Sequence, residues 1–331
     1  MEHADERIKM PALALGTDRI FRLLFCICCS LLAVYPASSA PLRQPVTTPA
    51  SVIPELASRA DSGDPSARLQ LKEFLVSADP ASPGYDQALS WLQSSASQNK
   101  PDAQFVLGYL YEHGKSLPLD FSKAAENYRR AALQGYSPAE TNLGALYRRG
   151  DGVPRDPAIS FHWYQLAAQH GNRVAQQNLG AFYYLGYATP VDYVEAANWF
   201  RASAIQGFAE GQNSLAYCYL KGIGVSRDDE QAAHWARLAA EQGHPRSEAL
   251  LAYLYEQGKG LPLDYVAAYA WYSRAVATGD NSDLDRLKAL SSVMTRKQLD
   301  EANSLISSPT LALRPGSASS IPVTRVPSPN P

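Results

Sequence analysis

Along the middle of the chain, apolar and small residues recur at a helical spacing. Ala103, Leu107, Leu110 and Tyr111 stand at i, i+4, i+7 and i+8, one stripe of a 3.6-residue helix. The pattern predicts a helix from about Ala103 to His113, ended by a left-handed Gly114. A short turn follows, and Asp120 is placed to cap a second helix. In the equivalent helix two units on, Trp199 and Phe200 sit midway among Ala196, Ala197 and Ala204, and Gly207 closes the unit.

The same stripe returns every 36 residues. The five tryptophans are Trp91, Trp163, Trp199, Trp235 and Trp271, and the vacant place in that series holds Asn127. Leu107-Gly108, Leu143-Gly144, Leu179-Gly180, Leu215-Ala216 and Leu251-Ala252 keep the period. So do Tyr111, Tyr147, Tyr183, Tyr219 and Tyr255, and the aspartates 120, 156, 192, 228 and 264. Glycines 135, 171, 207, 243 and 279 close the units. Glycine within a helix costs roughly 1 kcal/mol against alanine, so the Gly108 column implies close approach of a neighbouring helix. The repeated tryptophans, set beside alanines, read as inter-helix packing rather than as a ligand box.

The motif Ala-x-x-x-Leu-Gly-x-x-Tyr-x-x-Gly, then Asp, then Ala-x-x-Trp-Tyr-x-x-Ala-Ala-x-x-Gly resembles the Sel-one-like repeat family, a relative of the tetratricopeptide repeats. The resemblance implies an all-α fold, a right-handed α-solenoid of antiparallel helix pairs. It covers 103–282 as five units. Residues 61–102 form a degenerate N-terminal capping repeat that keeps Leu71, Ala88, Trp91 and Ala96. Residues 283–306 form C-terminal capping helices, with Thr295 and Gln298 at capping-box spacing.

The ends read differently. Arg19 and Arg22 precede a 13-residue apolar run, Leu23 to Tyr35, too short for the roughly 20 residues of a spanning helix. With Ala37-Ser38-Ser39-Ala40 after it, the stretch 1–40 reads as a signal peptide, cut between about 37 and 42. Met10 is the more ordinary start. Export to the periplasm follows, or a membrane tether where cleavage fails. Residues 41–60 read as a Pro-rich linker and 307–331 as a disordered tail with six prolines and six serines in 25 residues.

A net charge of −2 over 331 residues argues against nucleic-acid binding. Cys26, Cys28 and Cys29 lie in the apolar run, which leaves Cys218 alone in the exported chain and no internal disulfide. Cys218 shares a core column with Leu110 and Leu254 and reads as a packed, inert thiol. There is no Walker loop, no G-x-S-x-G and no H-E-x-x-H. His162, His170, His234 and His244 read as solvated surface residues. The sequence therefore presents no catalytic residue, no metal site and no small-molecule cofactor.

Function is sought in columns that vary between units. Opposite the core stripe of the first helix are Phe105, Thr141, Gln177, Asn213 and Ala249, then Tyr109, Ala145, Ala181, Tyr217 and Tyr253, then Glu112, Arg148, Tyr184, Leu220 and Glu256. The resemblance implies that these line a concave groove for a protein or peptide partner in the cell envelope. The candidate set is Tyr109, Asn142, Arg148, Arg149, Asn178, Tyr184, Tyr217 and Tyr253, side chains expected to lie off the core. The alternatives are a secreted enzyme acting on β-lactams, or a peptidoglycan-associated assembly factor. Secreted relatives of the first kind carry a regular cysteine pair in each unit, which this chain lacks.

Overall fold

Each repeat begins with a first helix whose carboxyl end stops at a left-handed glycine, and each second helix begins at an aspartate. In the computed structural model, which describes residues 50–114, 116–278, 283–306 and 308, this holds through all five units. The first helices are α4 (Pro101–His113), α6 (Ser137–Arg149), α8 (Arg173–Leu185), α10 (Ala209–Lys221) and α12 (Pro245–Gln257). The second helices are α5 (Phe121–Ala132), α7 (Pro157–Gln169), α9 (Tyr193–Ile205), α11 (Asp229–Glu241) and α13 (Tyr265–Ala277). Three helices precede them, α1 (Ile53–Asp61), α2 (Pro65–Ser77) and α3 (Tyr85–Ser97). Two follow, α14 (Leu284–Val293) and α15 (Arg296–Ile306). The described residues contain no strand. Sequential helices pack on one another, giving the right-handed solenoid of antiparallel pairs.

Turn chemistry repeats as closely as the apolar stripe. Asp120, Asp156, Asp192, Asp228 and Asp264 each accept backbone N–H bonds at the start of their second helix. The same five residues donate their own N–H to the tyrosine carbonyl of the preceding helix, as Asp156 does to Tyr147 at 2.9 Å and Asp228 to Tyr219 at 3.0 Å. One residue thus caps a helix and closes a turn.

Two glycine columns have separate reasons. A Cβ on Gly180 would lie 2.7 Å from the Phe200 ring, and one on Gly108 would lie 2.8 Å from Tyr128. Ala216 faces Ala236, with no ring to meet, whereas Ala252 carries its methyl opposite the Tyr272 position. The second column lies in the turns. Gly152, Gly224 and Gly260 are left-handed, and a Cβ there would lie within about 2.2 Å of backbone at the start of the preceding unit's second helix. Ala188 holds the same place in the third unit with φ +64°.

The ends differ in part from expectation. Residues 53–60, read as linker, are helical. Pro54 stands in the first turn, and Ile53, Leu56 and Ala60 are buried at i, i+3 and i+7. The last helix has its capping box: Thr295 N–H donates to Gln298 Oε1 at 2.9 Å, and Gln298 N–H to Thr295 Oγ1 at 3.3 Å. The apolar run 23–35, the rest of the N-terminal 49 residues, Gly279 and the tail beyond 308 lie outside the described residues. Among those described, no helix is long and apolar enough to cross a membrane.

Candidate partner-binding face

A buried amide ladder fixes where each first helix sits. Gln104, Gln176 and Gln212, near the starts of α4, α8 and α10, donate to Ala96, Ala168 and Ala204 carbonyls at the end of the preceding helix. From the end of the following helix, Gln134, Gln206 and Gln242 donate to the same glutamines at 2.7–2.8 Å. At the rung between these, Glu140 is buried and its carboxylate meets His170 Nδ1 at 2.8 Å. A second ladder runs through tyrosines 147, 219 and 255, whose hydroxyls accept from Arg129, Arg201 and Arg237. These ladders present the remaining face of every first helix in the same orientation.

On that face the candidate residues divide. Tyr109 is half-buried and its ring stacks on His113 with centroids 3.9 Å apart; burial raises its phenol above the usual range. Tyr217 and Tyr253 are half-buried in the same column, with Ala145 and Ala181 between them and Tyr109. Lys259 Nζ donates to the Tyr253 hydroxyl at 2.8 Å, and Lys259 and Arg286 stand 5.0 and 5.2 Å from its ring centroid. Tyr184 meets Tyr193 edge-on at 5.3 Å. Arg148 bonds the buried Tyr164 phenol.

Asn142, Asn178 and Arg149 depart from the expectation that they lie off the core. Asn178 is buried and donates to Val174 O at 3.0 Å, a bond within its own helix. Asn142 is buried and bonds the Tyr128 phenol. Arg149 pairs with buried Glu112 at 2.9 Å and with Asp151. The Phe105 column is likewise part of the stack: Phe105 packs between Tyr128 and Tyr136, and Thr141, Asn213 and Ala249 are buried.

The third variable column has an internal explanation. Where it holds Glu112, Arg148 or Glu256, the facing residue on the second helix is Tyr128, Tyr164 or Tyr272, each hydroxyl bonded to its charged neighbour. Where it holds Tyr184 or Leu220, the facing residue is Phe200 or Ala236, without a hydroxyl. Variation between units here tracks a contact within the unit. The signal was present in the sequence as a second column of the same period.

Three chemical readings from the sequence also meet the structure. Cys218 is fully buried and burial pushes its thiol up to about 12, in keeping with an inert thiol. Trp91, Trp235 and Trp271 are buried and Trp163 and Trp199 half-buried, in the packing role expected. His244 is not a solvated residue. Its imidazole caps α12, Nδ1 accepting from Ser247 N–H at 3.2 Å. Its Nε2 lies 3.8 Å from Glu210, and the Ser247 hydroxyl donates to Asn213 at 2.9 Å. Glutamate, histidine and serine thus stand in line, but Ser247 is fully buried and its hydroxyl proton is engaged, so this group is a helix cap. Among the described residues no cluster of histidine, cysteine and carboxylate could hold a metal.

Burial, with Arg246 nearby, lowers the His244 pKa to about 4. The neutral form is therefore the folded form, and stability is complete above the unfolded value of about 6.5. It falls by about 1.4 kcal/mol per pH unit as pH drops from there towards 4. Asn172 fills the equivalent place and caps its own helix through its side chain. His244→Asn is expected to keep the cap and flatten the decline in melting temperature between pH 7 and 5. An unchanged slope would remove His244 as its source.

The Sel1 repeat model matches residues 78–100, 101–136, 137–172, 173–208, 209–244 and 245–280, and the chain belongs to the Sel1 repeat family. The first span takes in the degenerate unit's second half. Among solved structures, the chain is similar to c5321, a protective antigen of uropathogenic Escherichia coli displaying an SLR fold. The identity is 32% and the TM-score 0.66, over 76% of this chain and 54% of that one. It is similar to a Sel1 repeat protein from Oxalobacter formigenes at 27% identity and TM-score 0.60, covering 69% of this chain and 91% of that one. A 72-residue stretch is 39% identical to the chitin synthase regulator SKT5 of Saccharomyces cerevisiae, covering 21% of this chain. The chain thus spans about half of the E. coli chain and 10% of the yeast protein. Sel1 repeat proteins are generally scaffolds for protein–protein interaction.

Proposed function

We propose that this protein is a non-catalytic adaptor, exported to the periplasm, that holds an extended or helical segment of an envelope protein against its first helices. The observation that carries the reading is the column Tyr109, Ala145, Ala181, Tyr217 and Tyr253. Its three tyrosines remain partly exposed on the first helices of the first, fourth and fifth units, while the alanines of the second and third leave a notch between Tyr109 and Tyr217. Tyrosine offers amphipathic contact area with few rotamers to freeze, and arginine offers a planar fork of donors. Tyr109, Tyr217 and Tyr253 form the centre of the site, with Arg148 and Tyr184 beside them. Asn142, Asn178 and Arg149 act through the positions they fix. Export rests on the basic flank, the short apolar run and the small residues after it.

Tyr109→Ala, Arg148→Ala and Tyr217→Ala made together are expected to weaken an identified partner by well over tenfold, since each anchor is worth about 2 kcal/mol. Circular dichroism should stay helical. Unchanged affinity in a folded triple variant overturns the assignment. Residues 1–42 fused to a reporter should carry it out of the cytosol, and a reporter left inside contradicts the export reading.

A further inference from the structure

The tyrosine column and the positions before it change character together. Four and three residues ahead of the tyrosine place, the first unit has Phe105-Val106 and the fifth has Ala249-Leu250. The second, third and fourth units have Thr141-Asn142, Gln177-Asn178 and Asn213-Ser214 instead. Residues three and four apart share a helix face, so Ala145 and Ala181 open the notch beside this polar line.

The line is tied together from within. Gln177 Nε2 donates to Ser214 Oγ in the next unit at 2.9 Å, and Asn213 Oδ1 accepts from Ser247 Oγ at 2.9 Å. Asn178, 6% exposed, donates from Nδ2 to Val174 O at 3.0 Å. Gln177 and Asn178 therefore both turn their NH2 groups into the stack. Their oxygens are left over. Gln177 Oε1 is buried with no hydrogen-bond partner, and none of the described residues donates to Asn178 Oδ1. A desolvated carbonyl without a donor keeps its cost until a donor arrives. Gln177 itself stays partly exposed, so that donor can come from outside the stack.

We infer that the notch takes peptide main chain: one extended stretch of a protein partner, its N–H groups meeting the Gln177 and Asn178 oxygens between Tyr109 and Tyr217. The inference rests on the groove reading above and selects the extended form of the segment. A helical segment has no N–H to offer beyond its first turn, because the others bond its own carbonyls. A carboxylate would meet two oxygens. An ammonium group would meet Arg148, three residues along from Ala145 on the same face. A peptide unit is neutral and carries one donor and one acceptor. Its N–H suits the amide side of the notch, and its carbonyl suits the side that carries Arg148 and Tyr184. The two alanines let the main chain come close where a tyrosine would hold it off.

The probe is a linear peptide selected on the full chain from a random library, with binding followed by fluorescence anisotropy. Replacing one main-chain N–H at a time by an ester oxygen is expected to weaken it about tenfold at one or two positions. Gln177→Met should weaken the all-amide peptide about tenfold, and the sensitive ester should then cost no more than about a further twofold. Ala145→Tyr puts into the second unit the residue that the first carries in this column, and it should weaken binding about tenfold or more by filling the notch. Leu133→Asp, 73% exposed on a second helix, should change nothing. Circular dichroism of each variant should match the native chain. A library that yields no binder, an ester scan without a sensitive position, or a peptide held by a lysine side chain instead overturns the inference. Should Tyr109→Ala with Arg148→Ala and Tyr217→Ala weaken the peptide while Gln177→Met and Ala145→Tyr do not, the groove stands and the main-chain notch falls. A peptide indifferent to all of these variants counts against both.

Discussion

Glu112→Ala is expected to cost about 3–5 kcal/mol, the usual loss when one member of a buried ion pair is removed. Glu112 is 8% exposed. One carboxylate oxygen accepts from the Tyr128 hydroxyl at 2.7 Å and the other from Arg149 at 2.9 Å. Alanine leaves the Tyr128 hydroxyl without that acceptor and Arg149 with Asp151 alone to balance it. The third and fourth units show how the polarity is removed coherently, with Tyr184 facing Phe200 and Leu220 facing Ala236. Glu112→Leu with Tyr128→Phe should therefore cost less than Glu112→Ala alone, a non-additivity that marks contact. Because repeat stability is nearly a sum over neighbours, the loss should concentrate in the first two units. Hydrogen exchange should show faster opening of α4 to α7 with the last units unaffected. A loss below about 1 kcal/mol would mean that water already screens the cluster.

Trp271→Ala is expected to cost a similar 3–5 kcal/mol through the cavity it leaves. The ring is 1% exposed, and the Arg274 guanidinium lies 4.7 Å from its centroid. Trp163 stands in the same column but is only half-buried, so Trp163→Ala should cost roughly half as much. Urea unfolding of the two variants measures both. Equal losses would show that column membership, rather than burial, sets the energy.

The architecture was legible because its causes are local and repeated. A helical stripe, a glycine stop and an aspartate cap each have a physical signature, and five copies at one period remove ambiguity. The ladders are also periodic, in Gln104, Gln176 and Gln212 and in Arg129, Arg201 and Arg237. Their partners lie in other helices, and only packing shows which columns meet. The candidate face was less legible for a related reason. Variation between units is not by itself freedom to specify a partner, since Glu112 and Tyr184 vary together with Tyr128 and Phe200 across a helix interface. Solvent-exposed His170 ends a second helix just before Gly171, whereas half-buried His244 stands between Gly243 and Pro245 in the capping column that Asn172 fills in its own unit, a local signal that separates the two.

The aspartate that caps each second helix while closing each turn has a consequence for how such a chain can change length. A single inserted residue in the turn must either pull the carboxylate away from the helix start or break the N–H bond to the tyrosine carbonyl. An insertion at the next junction would misalign the glutamines that tie three consecutive helices. Only a whole unit, duplicated or lost in step with its neighbours, leaves every bond with a partner. The stack is therefore modular in its heredity: it lengthens by copying complete pages, never by adding letters.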